Sequence, residues 1–451
     1  MQEIIEASIA RLANAAEAQL IHDRRDFHKH AEPGWTEFRT ATLIARRLIE
    51  LGFEVQSGQD VCSADARMGL PPEDVLEAQW VRALSEDADP VVLEPLRGGF
   101  TGVVGIVRNG AGPTIGLRFD IDALDLPESD EPSHRPASEG FASVHENVCH
   151  ACGHDGHAAI GLGIARLLSD MKNELAGTVK LIFQPAEEGV RGARSMVAAG
   201  VVDDVDLLLG HHLVTGCAIG EVFPGMSGYA ATRKFDASFH GAPAHAGGSP
   251  EKGRNALLAA ATASINLYAL PRHRDGFTRV NVGKLTAGSG RNVIPAEGQL
   301  VAEVRGETTE LCDSMYERAL TVIESAAAMH GCTASVRAMG GAGTASSDSA
   351  LAERVQAIAS RFPGTTFHAI EKMGGSEDFT EMMRRVQEHG GQATNIGIGA
   401  DASGIHHLDK NREDVLPAHT GIYDFDESAL VFATQLLANI VFDLMESPLG
   451  G

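Results

Sequence analysis

Three short apolar runs, separated by helical patterns, constrain the fold of this chain more than any other feature of the sequence. The runs are TIGLRF (114–119), TVKLIF (178–183) and VDLLLG (205–210). Residues 157–170 and 191–199, between the runs, have the spacing of helices. Continuous apolar strands that alternate with helices are typical of a parallel sheet covered on both faces. The sequence therefore predicts a large α/β domain built on a mainly parallel, mixed sheet.

A second pattern of strands and helices begins at about residue 229. Strand patterns lie at 233–240, 278–285, 298–305 and 333–338, and helical patterns lie at 253–269 and 308–329. Their order, β-α-β-β-α-β, is the layout of a ferredoxin-like domain. The α/β pattern resumes after the glycine-rich segment 340–347, with a helix at 348–361, a strand at 393–398 and a helix at 427–446.

We therefore predict two domains, one of them discontinuous. Residues 1–228 and 339–451 form an α/β domain. Residues 229–338 form an inserted ferredoxin-like domain of about 110 residues, a common domain size. Two helices are expected at 2–20 and 36–51, ahead of the first apolar run.

Charge and cysteine content limit the partners and the location of the protein. The chain has 37 Lys and Arg residues against 61 Asp and Glu residues, and a formal net charge of −24. Nucleic acids and anionic membranes attract basic surfaces, so neither is expected as a partner. No uncharged apolar run reaches the roughly 18 residues of a membrane span. Six cysteines are too few for a disulfide scaffold, and no signal-peptide pattern is present, so we expect a cytoplasmic enzyme with reduced thiols.

The densest group of chemically active side chains is the segment CHACGHDGH (149–157). Cys, His and Asp are ligand types of zinc- and manganese-type sites. One alternative without a metal is a loop that leads into a helix and carries solvent-facing histidines. Another is half of a structural zinc knuckle formed by Cys149 and Cys152, but that site needs a second ligand pair at similar spacing, and the sequence has none.

Three more polar clusters follow the apolar runs. They are Asp120-Ile121-Asp122, Glu187-Glu188 and His211-His212. Because sites in open α/β sheets form beyond the carboxyl ends of strands, these clusters are expected to meet at one edge, with Asp120 and Asp122 supporting the metal ligands. Adjacent residues of an extended chain point in opposite directions. We therefore expect Glu187 and Glu188 to do different jobs, and only one of His211 and His212 to point into the site.

The inserted domain carries three polar candidates of its own. His245 lies in the loop GAPAHAG (241–247), Asn292 lies in the loop GSGRNVIP (288–295), and Arg305 ends a strand. A histidine in a loop is usually just solvated, and Arg and Asn are ordinary in turns. The residues alone do not raise these three above ordinary surface groups.

Six motifs in a fixed order give the chain a recognisable family character. They are RFDIDAL, HACGHDGH, FQPAEEG, GAPAHAG, GSGRNVIP and GSEDF. Together they resemble the aminoacylase-like amidohydrolases, relatives of carboxypeptidase G that include hippurate and auxin-conjugate hydrolases. The resemblance covers nearly the whole chain. It implies that residues 1–228 and 339–451 form the metal-binding catalytic domain, and that the inserted domain, 229–338, serves for dimerisation and as a lid.

The resemblance implies a role for each motif residue. The implied metal ligands are Cys152, His154, Glu188, His212 and His419. Glu187 is implied as the general base, and His245 as a catalytic residue that reaches the active site of the partner in a dimer. Asn292 and Arg305 are implied to contact the amide oxygen or a carboxylate of the substrate. The stretch 401–416, with His406 and His407, has no assigned role.

The resemblance also implies an activity. Two divalent ions, Mn²⁺ or Zn²⁺, would assist hydrolysis of the amide bond of an N-acyl amino acid, with p-aminobenzoyl-glutamate as the first expectation. The alternatives are another aryl-acyl amino acid of the hippurate or indoleacetyl-aspartate type, or a non-catalytic subunit that depends on a partner. The expected assembly is a homodimer, or a complex with a homologous second subunit.

Overall fold

The computed structural model describes residues 2–369, 375–401 and 418–446. They form an eight-stranded sheet and a separate four-stranded sheet, each with its own hydrophobic core. Of the stretch 401–416, only Asp401 belongs to the described residues, so His406 and His407 lie outside them.

The helices among the described residues are α1 (Gln2–Ala15), α2 (Glu17–Lys29), α3 (Phe38–Glu50), α4 (Glu73–Ser85), α5 (Pro90–Leu93), α6 (Arg135–Glu139), α7 (His154–Asp170), α8 (Ala193–Ala198), α9 (Ala256–Tyr268), α10 (Thr309–Met329), α11 (Ser349–Ala359), α12 (Phe379–Glu388) and α13 (Ser428–Glu446). The strands are β1 (Glu54–Ser57), β2 (Val103–Asn109), β3 (Thr114–Asp120), β4 (Gly177–Gln184), β5 (Leu207–Ala218), β6 (Glu221–Phe223), β7 (Ala231–His240), β8 (Thr278–Ala287), β9 (Glu297–Gly306), β10 (Thr333–Ala342), β11 (Thr366–Phe367) and β12 (Gln392–Asp401).

The large sheet is mixed, with a parallel centre. Its order is β1-β2-β4-β3-β5-β12-β6-β11. Strands β4, β3, β5 and β12 are parallel, whereas β1 and β2 join one side antiparallel and β6 pairs antiparallel with β12. Helices cover both faces: Phe183 packs into the core shared with α7 and α13, and the adjacent Ile182 packs into the core shared with α8 and α12. The predicted fold class is confirmed.

The small sheet has the order β10-β7-β9-β8, and all of its pairs are antiparallel. Helices α9 and α10 pack on one face, where Phe235, Phe239 and Leu300 are buried. The β-α-β-β-α-β order predicted from the sequence is present. The exact domain boundaries stay a prediction.

Two local predictions differ from the structure. The expected helix 2–20 is two helices with a break at Ala16, and the second one continues to Lys29. His211 and His212 lie inside β5 rather than after it, because β5 extends to Ala218 through its pairing with β12, where His212 faces Gly397.

Helix α13 is long and apolar enough to cross a membrane, but 78% of its apolar stretch is buried inside the protein. It packs against α1, α7 and α11. A buried apolar helix with such neighbours is the core helix of a folded domain.

Candidate active site

The carboxyl end of β3 supplies two buried aspartates. One oxygen of Asp120 accepts a hydrogen bond from His157 Nδ1 at 2.5 Å, and the other pairs with Arg118 Nη1 at 2.5 Å. His157 Nε2 in turn accepts the backbone N–H of Leu213 at 2.9 Å. Because both ring nitrogens of His157 are engaged, this histidine supports the site and has no lone pair left for a metal.

Asp122 organises the loop that carries the two glutamates. Its Oδ1 accepts the backbone N–H of Glu187 at 3.0 Å, and its Oδ2 accepts that of Glu188 at 2.9 Å. The loop is tightly turned rather than extended, with Ala186 at φ +50°. The buried Glu37 accepts the backbone N–H of Ala186 at 2.8 Å. Two buried carboxylates therefore fix the backbone from which both glutamates project.

His154 opens α7 directly after Gly153, which has φ +90°. Its Nδ1 lies 2.9 Å from the backbone oxygen of Asp122, and since a carbonyl oxygen only accepts, Nδ1 carries the proton. Nε2 is buried and has no hydrogen-bond partner in the part of the chain that the structure describes. An imidazole held through one nitrogen with the other left open is the arrangement of a metal-binding histidine.

Cys152 and His212 come together from different elements. The Cys152 Sγ lies 3.5 Å from His212 Nε2. His212 Nδ1 donates to the backbone oxygen of Leu213 at 2.7 Å, so its Nε2 presents a lone pair toward the thiol. The ring of the adjacent His211 is buried and packs edge-on against Phe119 and His157. Of the pair, His212 is therefore the one at the cysteine.

Glu188 and His419 complete the cluster. His419 Nε2 lies 3.4 Å from Glu188 Oε1. His419 has φ +62°, and its backbone N–H donates to Ala151 at 2.7 Å, next to Cys152. This left-handed conformation is uncommon for a residue with a side chain and is held by the contact to the cysteine loop.

The five predicted ligands form overlapping groups in which the candidate ligand atoms all lie within 4.8 Å of one another. Three of these groups are Cys152 with His154 and His212, Cys152 with Glu188 and His419, and His154 with Glu187 and Glu188. A thiol, imidazoles and carboxylates at these distances are a suitable donor set for zinc- or manganese-type ions.

Burial controls the protonation of the ligands. It raises the pKa of Cys152 to about 12, although His154 acts against that shift. It lowers the pKa of His212 to about 3, with further lowering by His157. Burial also raises the pKa of Glu188 to about 7, again opposed by His154. The thiol is thus protonated and His212 neutral near neutral pH.

Glu187 lies beside the ligand cluster, with an oxygen 4.0 Å from His154 Nε2. Burial, followed by the nearby Glu377 and Glu188 carboxylates, raises its pKa well above the usual value. Glu377 was not among the predicted site residues. It is buried, and one of its oxygens accepts a hydrogen bond from Arg118 at 3.0 Å. Its position in the GSEDF motif is the sequence signal that could have identified Glu377 as a site residue.

The three candidates of the inserted domain do not belong to the metal-type groups found among the described residues. The side chain of His245 accepts the backbone N–H groups of Gly247 and Gly248 at 3.2 and 2.9 Å. Asn292 is exposed, and Arg305 pairs with Glu303 on its own strand at 3.0 Å. Their predicted roles stay predictions.

Comparisons with known proteins show the family of the chain. The pattern of Peptidase family M20/M25/M40 matches residues 116–424. The chain is 47% identical to indole-3-acetyl-aspartic acid hydrolase from Enterobacter agglomerans, over 92% of this chain and 93% of that protein. It is 45% identical to one of the subunits of p-aminobenzoyl-glutamate hydrolase from Escherichia coli (strain K12), over 96% and 97% of the two chains.

Two solved structures share the fold. The aminobenzoyl-glutamate utilization protein from Klebsiella pneumoniae is 40% identical, with a TM-score of 0.82 over 97% of this chain and 98% of that chain. The YXEP protein from Bacillus subtilis, described as a dinuclear metal binding peptidase from the M20 family, is 25% identical, with a TM-score of 0.64 over 96% and 99%.

The fold and the relatives together define the class of this protein. It is a hydrolase of the metallopeptidase type that acts on amide bonds. The chain belongs to Peptidase family M20/M25/M40, because the family pattern spans well over half of it and relatives match it nearly end to end.

Proposed function

We propose that this protein is a di-metal amidohydrolase that cleaves N-acyl amino acids, with p-aminobenzoyl-glutamate as the foremost substrate. The observation that carries the proposal is the convergence of Cys152, His154, Glu188, His212 and His419 beside the carboxylate of Glu187. The relatives named for p-aminobenzoyl-glutamate and indoleacetyl-aspartate support an acidic amino acid joined to an aromatic acyl group.

The residues present fit a pair of divalent ions. His154 Nε2 and Glu188 Oε1 are buried without a hydrogen-bond partner among the described residues, which is costly unless a ligand meets them. Cys and His suit Zn²⁺, whereas the carboxylates also accept Mn²⁺. When bound, two such ions act as Lewis acids that polarise the amide carbonyl and lower the pKa of water.

Glu187 is the proposed general base. Its carboxylate lies at the edge of the ligand cluster, on a backbone held by Asp122, so it is placed to take a proton from the attacking water. The same carboxyl group then delivers the proton to the departing amine of the amino acid. Glu188, the neighbouring residue, points to His419 and serves as a ligand instead.

His245 is proposed to stabilise the developing oxyanion. Because its Nδ1 accepts two backbone N–H groups, the ring proton sits on Nε2, which leaves that atom as a donor. One such donor is worth about 10²–10³ in kcat. We propose that it acts in the active site of the partner protomer, with Asn292 at the amide oxygen and Arg305 at a substrate carboxylate.

A dimer through the inserted domain is part of the proposal. Helix α9 exposes apolar side chains at Leu258, Ile265 and Tyr268, which are 46%, 71% and 49% exposed. Such a surface suits a second copy of this chain or a homologous second subunit. We also place the protein in the cytoplasm, a proposal supported by six unpaired cysteines.

Turnover by the purified chain, loaded in turn with Mn²⁺ and Zn²⁺, tests this function. We expect p-aminobenzoyl-glutamate to be cleaved with a higher kcat/KM than hippurate and at least as well as indoleacetyl-aspartate. Cleavage that appears only when a homologous second chain is added would replace the homodimer with a mixed assembly. Absence of cleavage of all three compounds under both conditions would reject the hydrolase assignment to these substrates.

A further inference from the structure

The face of the small sheet away from its helices carries charged side chains. Residues that alternate with Phe235 on β7 and with Ala302 and Val304 on β9 point to this face, because those apolar residues pack against α9 and α10. Lys234 and Glu303 are directly opposite each other in the β7–β9 pair, and Arg305 lies two residues farther along. These three form a charged row on the open face.

This row lies next to the loop that carries the catalytic glutamates. Gly340 of β10 is the register partner of Lys234. Gly340 packs so closely on the loop that a side-chain carbon there would come within 2.1 Å of the backbone oxygen of Gly189. The backbone N–H of Gly341 also donates to Val190 at 2.8 Å. The strand neighbour of Lys234 therefore touches the residues immediately after Glu188.

The electrostatics agree with that placement. Burial lowers the pKa of Lys234, and the carboxylate of Glu303 and the guanidinium of Arg305 act on it in opposite directions. Glu187 and Glu188 also act on the Lys234 ammonium, in the direction that favours its charge. Lys234 is thus part of the electrostatic environment of the active site although it belongs to the other sheet.

Lys234 and Arg305 differ in how their charges are matched. Arg305 donates through Nε and Nη2 to the two oxygens of Glu303 at 3.0 and 3.2 Å, so its charge is largely neutralised. Lys234 has no ion pair within 4.0 Å among residues 2–369, 375–401 and 418–446. The carboxylates around Lys234 act on it from beyond 4.0 Å, so its half-buried ammonium keeps donors that an anionic ligand can meet.

We propose that Lys234 is a substrate-binding residue that receives the α-carboxylate of the amino-acid half of the substrate. The inference rests on the proposed function and deepens it. The α-carboxylate is attached to the carbon that bears the departing nitrogen, so its binding site must lie close to Glu187, which protonates that nitrogen. Lys234 is a cation without an ion pair among the described residues, and its charge interacts with Glu187 and Glu188. Arg305, two residues beyond Glu303 on β9, is already paired. Arg191, near the same glutamates, donates to the backbone oxygens of Glu188 and Gly69 instead.

Lys234 therefore makes the enzyme prefer a free α-carboxylate. A side-chain carboxylate reaches farther from the scissile bond and does not need this lysine. The enzyme accordingly removes a single C-terminal amino acid and cleaves acyl amino acids whose α-carboxylate is blocked with a lower kcat/KM.

Three substrates that differ in one group test the assignment. They are p-aminobenzoyl-glutamate, its γ-amide (p-aminobenzoyl-glutamine) and its α-amide (p-aminobenzoyl-isoglutamine). For Lys234→Met we expect kcat/KM to fall about 10- to 100-fold on the first two, mainly through KM, the size expected for a hydrogen bond to a charged group. On the α-amide, Lys234→Met and the unaltered enzyme should differ less than about 3-fold, because the charge that Lys234 would meet is absent.

Matched variants separate binding from folding. Lys234→Arg keeps the charge and should retain most of the kcat/KM. Lys284→Met removes an exposed lysine from β8 of the same sheet and should change nothing. Lys234→Gln serves as a second neutral variant, and a melting temperature near that of the unaltered enzyme shows that it is folded.

The outcomes distinguish the two proposals. A loss that follows the γ-carboxylate, or one that is equal on all three substrates, would overturn the role of Lys234. Failure of the unaltered, metal-loaded enzyme on the free acids would instead overturn the proposed function. In that case hippurate and its α-amide provide the same comparison for Lys234.

Discussion

The carboxylate of Asp122 accepts the backbone N–H of Glu187, and its second oxygen accepts the backbone N–H of Glu188. The backbone oxygen of Asp122 also accepts from His154 Nδ1. One residue just beyond the end of β3 thus fixes the proposed general base, Glu187, and two proposed ligands, Glu188 and His154, relative to each other. Residues that hold metal ligands in place by hydrogen bonds matter for metal binding nearly as much as the ligands themselves, because they set the direction of each donor atom.

We expect Asp122→Asn to lower metal affinity or kcat/KM by about 10- to 100-fold, the range found for such partners. The NH₂ group of an asparagine cannot accept a hydrogen bond, so one of the two backbone N–H groups that Asp122 now accepts would lose its acceptor. Metal titration and steady-state kinetics on the same preparation measure both effects. The control is Asp125→Asn, a more exposed aspartate a few positions along the chain, which should behave like the unaltered enzyme.

Glu187→Gln should keep both metal ions and lose about 10²–10⁴ in kcat, the usual contribution of general acid–base catalysis. The amide has the same shape but cannot take the proton of the attacking water. Elemental analysis and kcat are the measurements, with Glu146→Gln as an exposed control. Hydrolysis at an undiminished rate would remove Glu187 from the mechanism.

Metal uptake should release protons. The pKa of Cys152 is raised to about 12 by burial, so the thiol is protonated at neutral pH, whereas a metal binds the thiolate. Burial lowers the pKa of His154, but Asp120 and Cys152 outweigh it and raise the net pKa well above the usual value. Both groups must lose a proton, so metal affinity falls as the pH falls.

Calorimetric titration with metal in two buffers of different ionisation enthalpy counts the protons. Cys152→Ala should release about one proton fewer per chain than the unaltered protein, because each thiol contributes one. An equal count in the two proteins would show that Cys152 does not bind metal as a thiolate.

Arg24→Met should strongly destabilise the fold. Arg24 is fully buried and pairs with Asp155 at 2.8 Å, Asp424 at 2.7 Å and Glu427 at 3.2 Å. Removing one partner of a buried ion-pair network costs about 3–5 kcal/mol, because the remaining charges stay buried. Denaturant unfolding measures the loss. Arg46→Met, at an exposed pair with Glu50 on α3, should cost less than about 1 kcal/mol.

The pH dependence of stability provides a separate check on this network. Burial raises the pKa of Asp424 and of Glu427, but the arginines around them outweigh burial and hold both below their usual values. These two carboxylates therefore contribute fully to the free energy of unfolding above their unfolded-state pKa of about 4. That contribution is lost as the pH falls through their lower folded-state pKa. The Arg24→Met protein should lose less stability on acidification than the unaltered protein. An equal or greater loss would contradict the role of Arg24 in holding these carboxylates ionised.

The sequence by itself determined the fold class and the donor types of the site. Its apolar runs are β3, β4 and the start of β5, since a strand buried on both faces needs continuous apolar residues. Strand alternation also allowed only one of His211 and His212 to point into the site, because alternation follows from local backbone geometry, but it did not decide which one. The ordered motifs indicated the family that the comparisons show.

Tertiary structure decided which distant groups meet. His419 reaches Glu188 only because its backbone, in a left-handed conformation, is held by Ala151, which is remote in sequence. Glu377, just before α12, and Lys234, on the small sheet, approach Glu187 through packing between elements. The GSEDF motif marks Glu377 but not its contact with Glu187, and no local pattern marks Lys234. The physical reason is that secondary structure follows local periodicity, whereas the distances and electric fields within a site arise from contacts between elements remote in sequence.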